Sequence, residues 1–250
     1  MQHFAKPENA LKRADELFSV GQNDAALVSL YDVLSSKRHR TWQQSMEDVA
    51  IRFVELCVDM RKAKAVKDGL IQYRMVCQGF VGSMDTVLRK FMQLAERAAQ
   101  SAIKKAAAIT DANIEELLGA AYDLDAEETP ESLMMATVGG GADSKKRTER
   151  QLVTPSLKFL WEAYRSVLDV LRNNAKLDEL YRDTCIMGFE FCIRFQRTVE
   201  FRRMCDILRN HIQSQTKYDP KWKDKEPPTT EALQTHLETR FSQVGPGIPP

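Results

Sequence analysis

Apolar residues return at three- and four-residue intervals through block after block of this chain, and no stretch shows a convincing strand alternation. That periodicity is the signature of amphipathic helices, and it narrows the fold more than any other feature. In the first block Pro7 suits an opening helical turn, where its missing N–H costs little. Ala10, Leu11, Ala14, Leu17 and Phe18 follow at helical spacing. Gly21 fits the left-handed position that ends a helix, and Asn23 or Asp24 fits the cap of the next. Ala26, Leu27, Leu30, Tyr31, Val33 and Leu34 then form the apolar side of a second helix.

The pattern continues. Thr41 is placed to cap a third helix carrying Trp42, Met46, Val49, Phe53, Val54, Cys57 and Val58. A fourth is expected over 65–77. Ser83 is placed to cap a long fifth that runs toward Ala108. Character changes at Thr110: residues 106–144 hold no lysine or arginine, while Asp111, Glu115, Glu116, Asp123, Asp125, Glu127 and Glu128 accumulate. This reads as an acidic connector. Thr129-Pro130-Glu131 starts a short helix that ends at a glycine run. Thr154-Pro155 opens a further helix, LKFLWEAYRSVLDVLR, and Asn173-Asn174 makes a turn. Leu177, Leu180, Tyr181, Cys185, Phe189, Cys192 and Ile193 mark the next helix. Thr198 is placed to cap another, with Met204, Cys205, Leu208 and Ile212. KYDPKWKDKEPP is polar and proline-rich, hence a loop. Residues 231–241 read as a last helix, which GPGIPP cannot continue.

The expected fold is therefore all-α, an α-solenoid of stacked antiparallel helical hairpins. Its expected divisions are N-terminal helical repeats over 1–109, an acidic connector and glycine-rich joint over 110–153, a second helical block over 154–241, and an unstructured tail over 242–250. ADELFSVGQNDAALVSLYDVL resembles a tetratricopeptide-type repeat, although strict repeats at a fixed period do not follow it.

Several function classes fall away. A formal net charge of +1 over 250 residues does not fit a histone-like or acidic-tail protein, though it averages over local patches. The N-terminus lacks the apolar core of a signal peptide. No apolar run reaches the roughly 20 residues a membrane helix takes, so the chain reads as soluble and intracellular, with no membrane partner. The five cysteines are odd in number and form no CxxC pair, which suggests neither a disulfide framework nor a zinc site. They read as small buried apolar side chains.

VGGGADSKKRTER, residues 138–150, invites comparison with a phosphate-binding loop. That loop needs GxxxxGK followed by Ser or Thr, between a strand and a helix. Here Ser144 stands sixth from Gly139, lysines stand sixth from Gly140 and Gly141, and the preceding ESLMMATV looks helical. The stretch reads as a flexible basic joint. His3, His39, His211 and His236 are scattered and share no face with a second metal ligand. No catalytic, cofactor-binding or metal-binding residues are assigned, and no enzyme activity is expected.

Surface charge remains. Lys37, Arg38, His39 and Arg40 crowd one connection beside Trp42, and Arg194, Arg197, Arg202 and Arg203 surround a later turn. These are either solvated helix ends or contacts for RNA phosphate or acidic protein, where cations displace counterions. Trp42 is expected to pack in the core rather than stack on a base.

PENALKRADELFSVG, ALVSLYDVLSSKRHRTWQ, VELCVDMRK, TPSLKFLWEAYRSVLDVLRNN, EFRRMCDILRNH and HLETR, in that order across nearly the whole chain, resemble the family of the a subunit of eukaryotic translation initiation factor 3. The resemblance implies a non-catalytic scaffold protein whose helical repeats lead toward a PCI domain. It implies pairing with the c subunit of the same factor, contacts with its other subunits, and binding to the small ribosomal subunit, through protein or rRNA, near the mRNA exit side. It also implies roles in mRNA recruitment and initiation-complex assembly. Family members continue beyond HLETR, so their contacts with the b subunit are not carried over. The acidic connector and glycine joint look like a variable insertion. Lys37, Arg38 and Arg40 match the family's basic turn and are the first ribosome-contact candidates, followed by Arg194, Arg197, Arg202 and Arg203. Phe159, Leu160, Trp161 and Tyr164 match an aromatic helix expected to serve packing. The alternative is a helical-repeat scaffold of another PCI complex, of the proteasome-lid or signalosome type.

Overall fold

The structure, a computed structural model, describes residues 6–36, 41–110, 124–125, 152–172 and 174–218. Among them the secondary structure is helical throughout, as the periodicity predicts. The helices are α1 (Pro7–Ser19), α2 (Asn23–Ser35), α3 (Gln44–Asp59), α4 (Ala63–Val76), α5 (Val81–Thr110), α6 (Thr154–Leu171), α7 (Asp178–Arg194) and α8 (Thr198–Tyr218), with a short 3-10 turn at Ala175–Leu177. The chain divides into two compact units. The first holds residues up to Ser101 together with Arg165–Val170 of α6. The second holds Ala102–Tyr164 and everything from Leu171. The expected helix over 231–241, the short helix after Thr129 and the tail lie outside the described residues.

One turn recurs in both units. After α1, Gly21 at φ 82° donates to Phe18 O at 2.9 Å, and Gln22 donates to Leu17 O at 2.9 Å. After α3, Arg61 at φ 53° donates to Val58 O, and Lys62 to Cys57 O. After α7, Gln196 at φ 52° donates to Ile193 O, and Arg197 to Cys192 O. Each is a Schellman closure, in which a left-handed residue lets two amides satisfy the last carbonyls. Each connection is so short that its last residue also opens the next helix. Gln22, Lys62 and Arg197 accept from Ala26, Val66 and Phe201 at 3.0, 3.2 and 3.0 Å.

That double duty corrects the expected caps. Gln22 takes the cap position of α2, so Asn23 is its first helical residue, and no side chain caps it. Thr198 likewise opens α8 after Arg197 rather than capping it. Thr41 lies upstream of α3, whose cap is the extended Gln43. Ser83 sits inside the first turn of α5 with its hydroxyl turned into the protein.

In the first unit each early helix touches the next and the next but one: α1 with α2 and α3, and α2 with α3 and α4. The core holds Leu30, Met46, Val49, Phe53, Leu56, Leu70, Tyr73, Leu88 and Phe91. Gly69 lets α4 approach α3 closely, because a Cβ there would strike the Phe53 ring. Around the rim, Arg52 Nε reaches Asp15 Oδ1 at 2.9 Å while its guanidinium lies over the Phe18 ring at 5.1 Å. Lys67 Nζ meets Asp169 Oδ2 at 2.6 Å, and Arg74 donates to Val170 O at 3.0 Å.

In the second unit Phe159, Leu160, Trp161 and Tyr164 of α6 are buried, which fits the packing role expected of that helix. Phe191 of α7 is tilted against Tyr164 at 5.7 Å and stacked toward Trp161 at 6.5 Å. Gly188 makes room for Met204 of α8.

Candidate interaction surfaces

Lys37, Arg38 and Arg40 lie outside the described residues, as does the 138–150 glycine stretch, but the residues just after the basic turn are placed. Trp42 stacks on Phe80 with ring centroids 4.3 Å apart, and its indole N–H donates to Ser83 Oγ at 2.9 Å. Ser83 also meets Tyr73 OH at 2.6 Å and donates to Glu47 Oε2. A hydroxyl carries one proton and two acceptor sites. With its proton on Glu47, Ser83 accepts from Trp42 and Tyr73 and is fully used. Burial raises the Tyr73 hydroxyl well above its usual range, so it stays protonated and able to donate. Trp42 is thus packed, as expected, and the network fixes the chain at the exit of the basic turn. Phe80 remains 52% exposed.

The second arginine group does not form one solvated patch. Arg197 is only 5% exposed, and Arg203 pairs with Asp125 Oδ2 at 2.9 Å. Arg194 and Arg202 are exposed, with the Arg194 guanidinium 5.6 Å from the Phe195 ring. The reason is the turn itself. Arg197 is drawn inward by closing α7 and opening α8, while the helical repeat of α8 sets Arg202 and Arg203 on different faces. The surface candidates of this group reduce to Arg194 and Arg202.

Sequence reasoning missed the partner of Arg203. Asp125 belongs to the stretch that reads from composition as an acidic connector. Its Oδ1 accepts the Trp161 indole N–H at 3.1 Å, and the neighbouring Leu124 is buried with its amide donating to Glu200 Oε1 at 2.8 Å. Glu200 itself is buried. Two connector residues therefore dock against α6 and α8. A leucine inside an acidic run was the available signal.

Cys57, Cys77, Cys185 and Cys192 are buried, as expected of small apolar groups, whereas Cys205 is only partly so. Burial pushes Cys57 and Cys192 up to about 12 and Cys77 up to about 11, and it raises Cys185 further. Such thiols are poor nucleophiles at neutral pH. No described helix is long and apolar enough to cross a membrane.

Helical hairpins closed by a shared turn, with polar groups spent on holding helices together, define a helical-repeat protein of the tetratricopeptide-like class. The family described as eIF3a, PCI domain, TPR-like region matches residues 8–248. The A subunit of eukaryotic translation initiation factor 3 from Nicotiana tabacum is 47% identical over 245 residues, 98% of this chain and 25% of its own length. The Arabidopsis thaliana protein of the same name is 46% identical over 98% of this chain and 24% of its own. That of Aspergillus terreus is 46% identical over 97% and 24%. The chain belongs to the family of the A subunit of eukaryotic translation initiation factor 3. It spans about a quarter of the length of these curated relatives.

Proposed function

We propose that the chain is a non-catalytic scaffold segment of translation initiation factor 3, acting in the cytoplasm. It would join the factor's other subunits, the c subunit among them, and support small ribosomal subunit binding and mRNA recruitment. The observation that carries this reading is identity of 46–47% across nearly the whole chain to proteins named as the A subunit of that factor. The same family match argues against a component of the proteasome lid or signalosome.

Lys37, Arg38 and Arg40 are the proposed first contacts, and Arg194 and Arg202 the second. The Trp42–Ser83 bond supports the first assignment, because a basic turn whose exit is fixed loses less entropy on binding than a free one. Co-sedimentation of the chain with purified small ribosomal subunits tests the reading. Saturable, salt-sensitive binding is expected; a chain that stays in the supernatant at low salt contradicts it.

A further inference from the structure

The connection between α2 and α3 is unlike the Schellman turns. It runs from Ser36 to Gln43, and its two described ends are extended. Ser36 has φ −66° and ψ 124°, and Gln43 has φ −142° and ψ 152°. Thr41 within it is exposed. Because Gln43 takes the cap position of α3, the Thr41 hydroxyl is not spent on the helix. Arg40 immediately precedes Thr41, Arg38 stands three residues before it and Lys37 four. No aspartate or glutamate occurs between Asp32 and Glu47. An exposed hydroxyl with cations on its N-terminal side suits the acidic substrate cleft of a basophilic protein kinase, which attracts such a segment and repels acidic ones. We propose that Thr41 is a phosphorylation site for a kinase of this class, and that its phosphate weakens the contact made by the basic turn.

The transfer balances with ATP as the co-reactant. A bond forms between Thr41 Oγ1 and the γ-phosphorus, and the bond from that phosphorus to the β–γ bridging oxygen breaks. ADP leaves, and the hydroxyl proton passes to the catalytic carboxylate of the kinase. The product carries a charge of about −1.5 to −2 at pH 7. In sequence it stands beside Lys37, Arg38 and Arg40, so it offsets most of their combined charge. Glu47, the next acidic residue along the chain, is already engaged with Ser83. Local structure selects among the hydroxyls. Ser36 has these cations only on its C-terminal side, and Ser45 lies in the first turn of α3. Thr198 is the informative contrast: it is exposed, with Arg197 directly before it and Arg194 four residues before. It opens α8 straight from a Schellman turn, so its backbone cannot lie extended in a kinase cleft. Trp42 is held on Phe80 and Ser83, which leaves recognition to the residues before Thr41.

The effect on binding rests on the ribosome-contact reading of the basic turn; the modification itself does not, and the experiment reads the two separately. The whole 250-residue chain is incubated with magnesium ATP and calcium/calmodulin-dependent protein kinase II, a probe that selects arginine three residues before the acceptor. Phosphate is located by peptide mass. Near-stoichiometric phosphate on Thr41 and little on Thr198 is expected. Thr41→Val should remove most of the incorporation, and Arg38→Ala should slow it by about tenfold or more. The phosphorylated chain is then titrated against purified small ribosomal subunits, with circular dichroism confirming that it stays folded. Its affinity should fall by about tenfold or more and return after phosphatase treatment. Phosphate absent from Thr41, phosphate mainly on Thr198, or an unchanged rate in Arg38→Ala overturns the site. Stoichiometric phosphate on Thr41 with unchanged affinity overturns the effect on binding and leaves the scaffold reading intact. Failure of the unphosphorylated chain to bind overturns that effect and the ribosome-contact reading together, while the site still stands or falls on the phosphate mapping.

Discussion

The indole N–H of Trp161 ends on Asp125 Oδ1, 3.1 Å away, while the other oxygen of that carboxylate holds Arg203 at 2.9 Å. One connector side chain thus ties α6 to α8. Removing it leaves a fully buried indole donor and a half-buried guanidinium short of a partner each. Asp125→Ala should cost about 1–3 kcal/mol of stability. Asp125→Ala and Arg203→Ala should be clearly less than additive, since each removes the same ion pair. Urea denaturation of the two single variants and the double variant measures both quantities.

Two glycines make a paired comparison. A methyl at Gly69 meets the ring of Phe53, which is buried and held by its neighbours, whereas a methyl at Gly188 meets the flexible end of Met204 at 2.6 Å. Alanine gains about 1 kcal/mol over glycine in a helix interior, and overpacking a rigid core costs about 1–3 kcal/mol. Gly69→Ala should therefore destabilise, and Gly188→Ala should be close to neutral. Thermal melting of the two variants decides the order.

The recurring turn yields a third expectation. Arg61 and Gln196 hold the left-handed conformation that Gly21 adopts without a Cβ. That conformation costs a non-glycine residue roughly 1–2 kcal/mol, part of which glycine gives back through the entropy of its unfolded state. Gln196→Gly and Arg61→Gly should each stabilise the chain by up to about 1 kcal/mol, and Gly21→Ala should destabilise it. Equilibrium denaturation of the three variants provides the check.

These turns also show what the sequence could reveal. Helix type and order were legible because α1 to α8 each bury one periodic face, and burial of that face decides the structure. The repeat itself was hidden, since its diagnostic residue is glycine once, arginine once and glutamine once. Capping chemistry misled at Asn23 and Thr198 because a three-residue Schellman turn assigns the cap to the residue before each. Asp125 was illegible for another reason: its partners Trp161 and Arg203 lie 36 and 78 positions away. The arginine group around α7 and α8 looked uniform in sequence, and only the fold separates buried Arg197 and paired Arg203 from exposed Arg194 and Arg202.

Stability should fall in mild alkali. Cys57, Cys77 and Cys192 are buried, and their folded pKa values lie above the unfolded value of 9.0 because burial disfavours the thiolate. The unfolded chain releases these protons first, so their contribution is intact below pH 9.0 and is lost as pH rises toward the folded values of about 11 to 12. Between pH 9 and 10 each thiol should cost roughly 1 kcal/mol. Urea midpoints across that interval, with Cys57→Ala to remove one contribution, test the sign and size.

The most direct test of the account is the affinity for purified small ribosomal subunits, measured across a salt series for the natural chain and for Lys37→Ala/Arg38→Ala/Arg40→Ala. The sequence reads these three as surface charges, and surface substitutions usually cost less than about 0.5 kcal/mol, so the triple variant should melt with the unsubstituted chain. Its affinity should be lower. If the cations meet rRNA, the slope of log affinity against log salt should flatten by about 0.7–0.9 for each phosphate no longer neutralised; against an acidic protein face the affinity still falls, with a smaller change in slope. An equally folded triple variant that binds with unchanged affinity at every salt concentration would contradict the assignment of the basic turn, and failure of the natural chain to bind at all would contradict the scaffold reading itself.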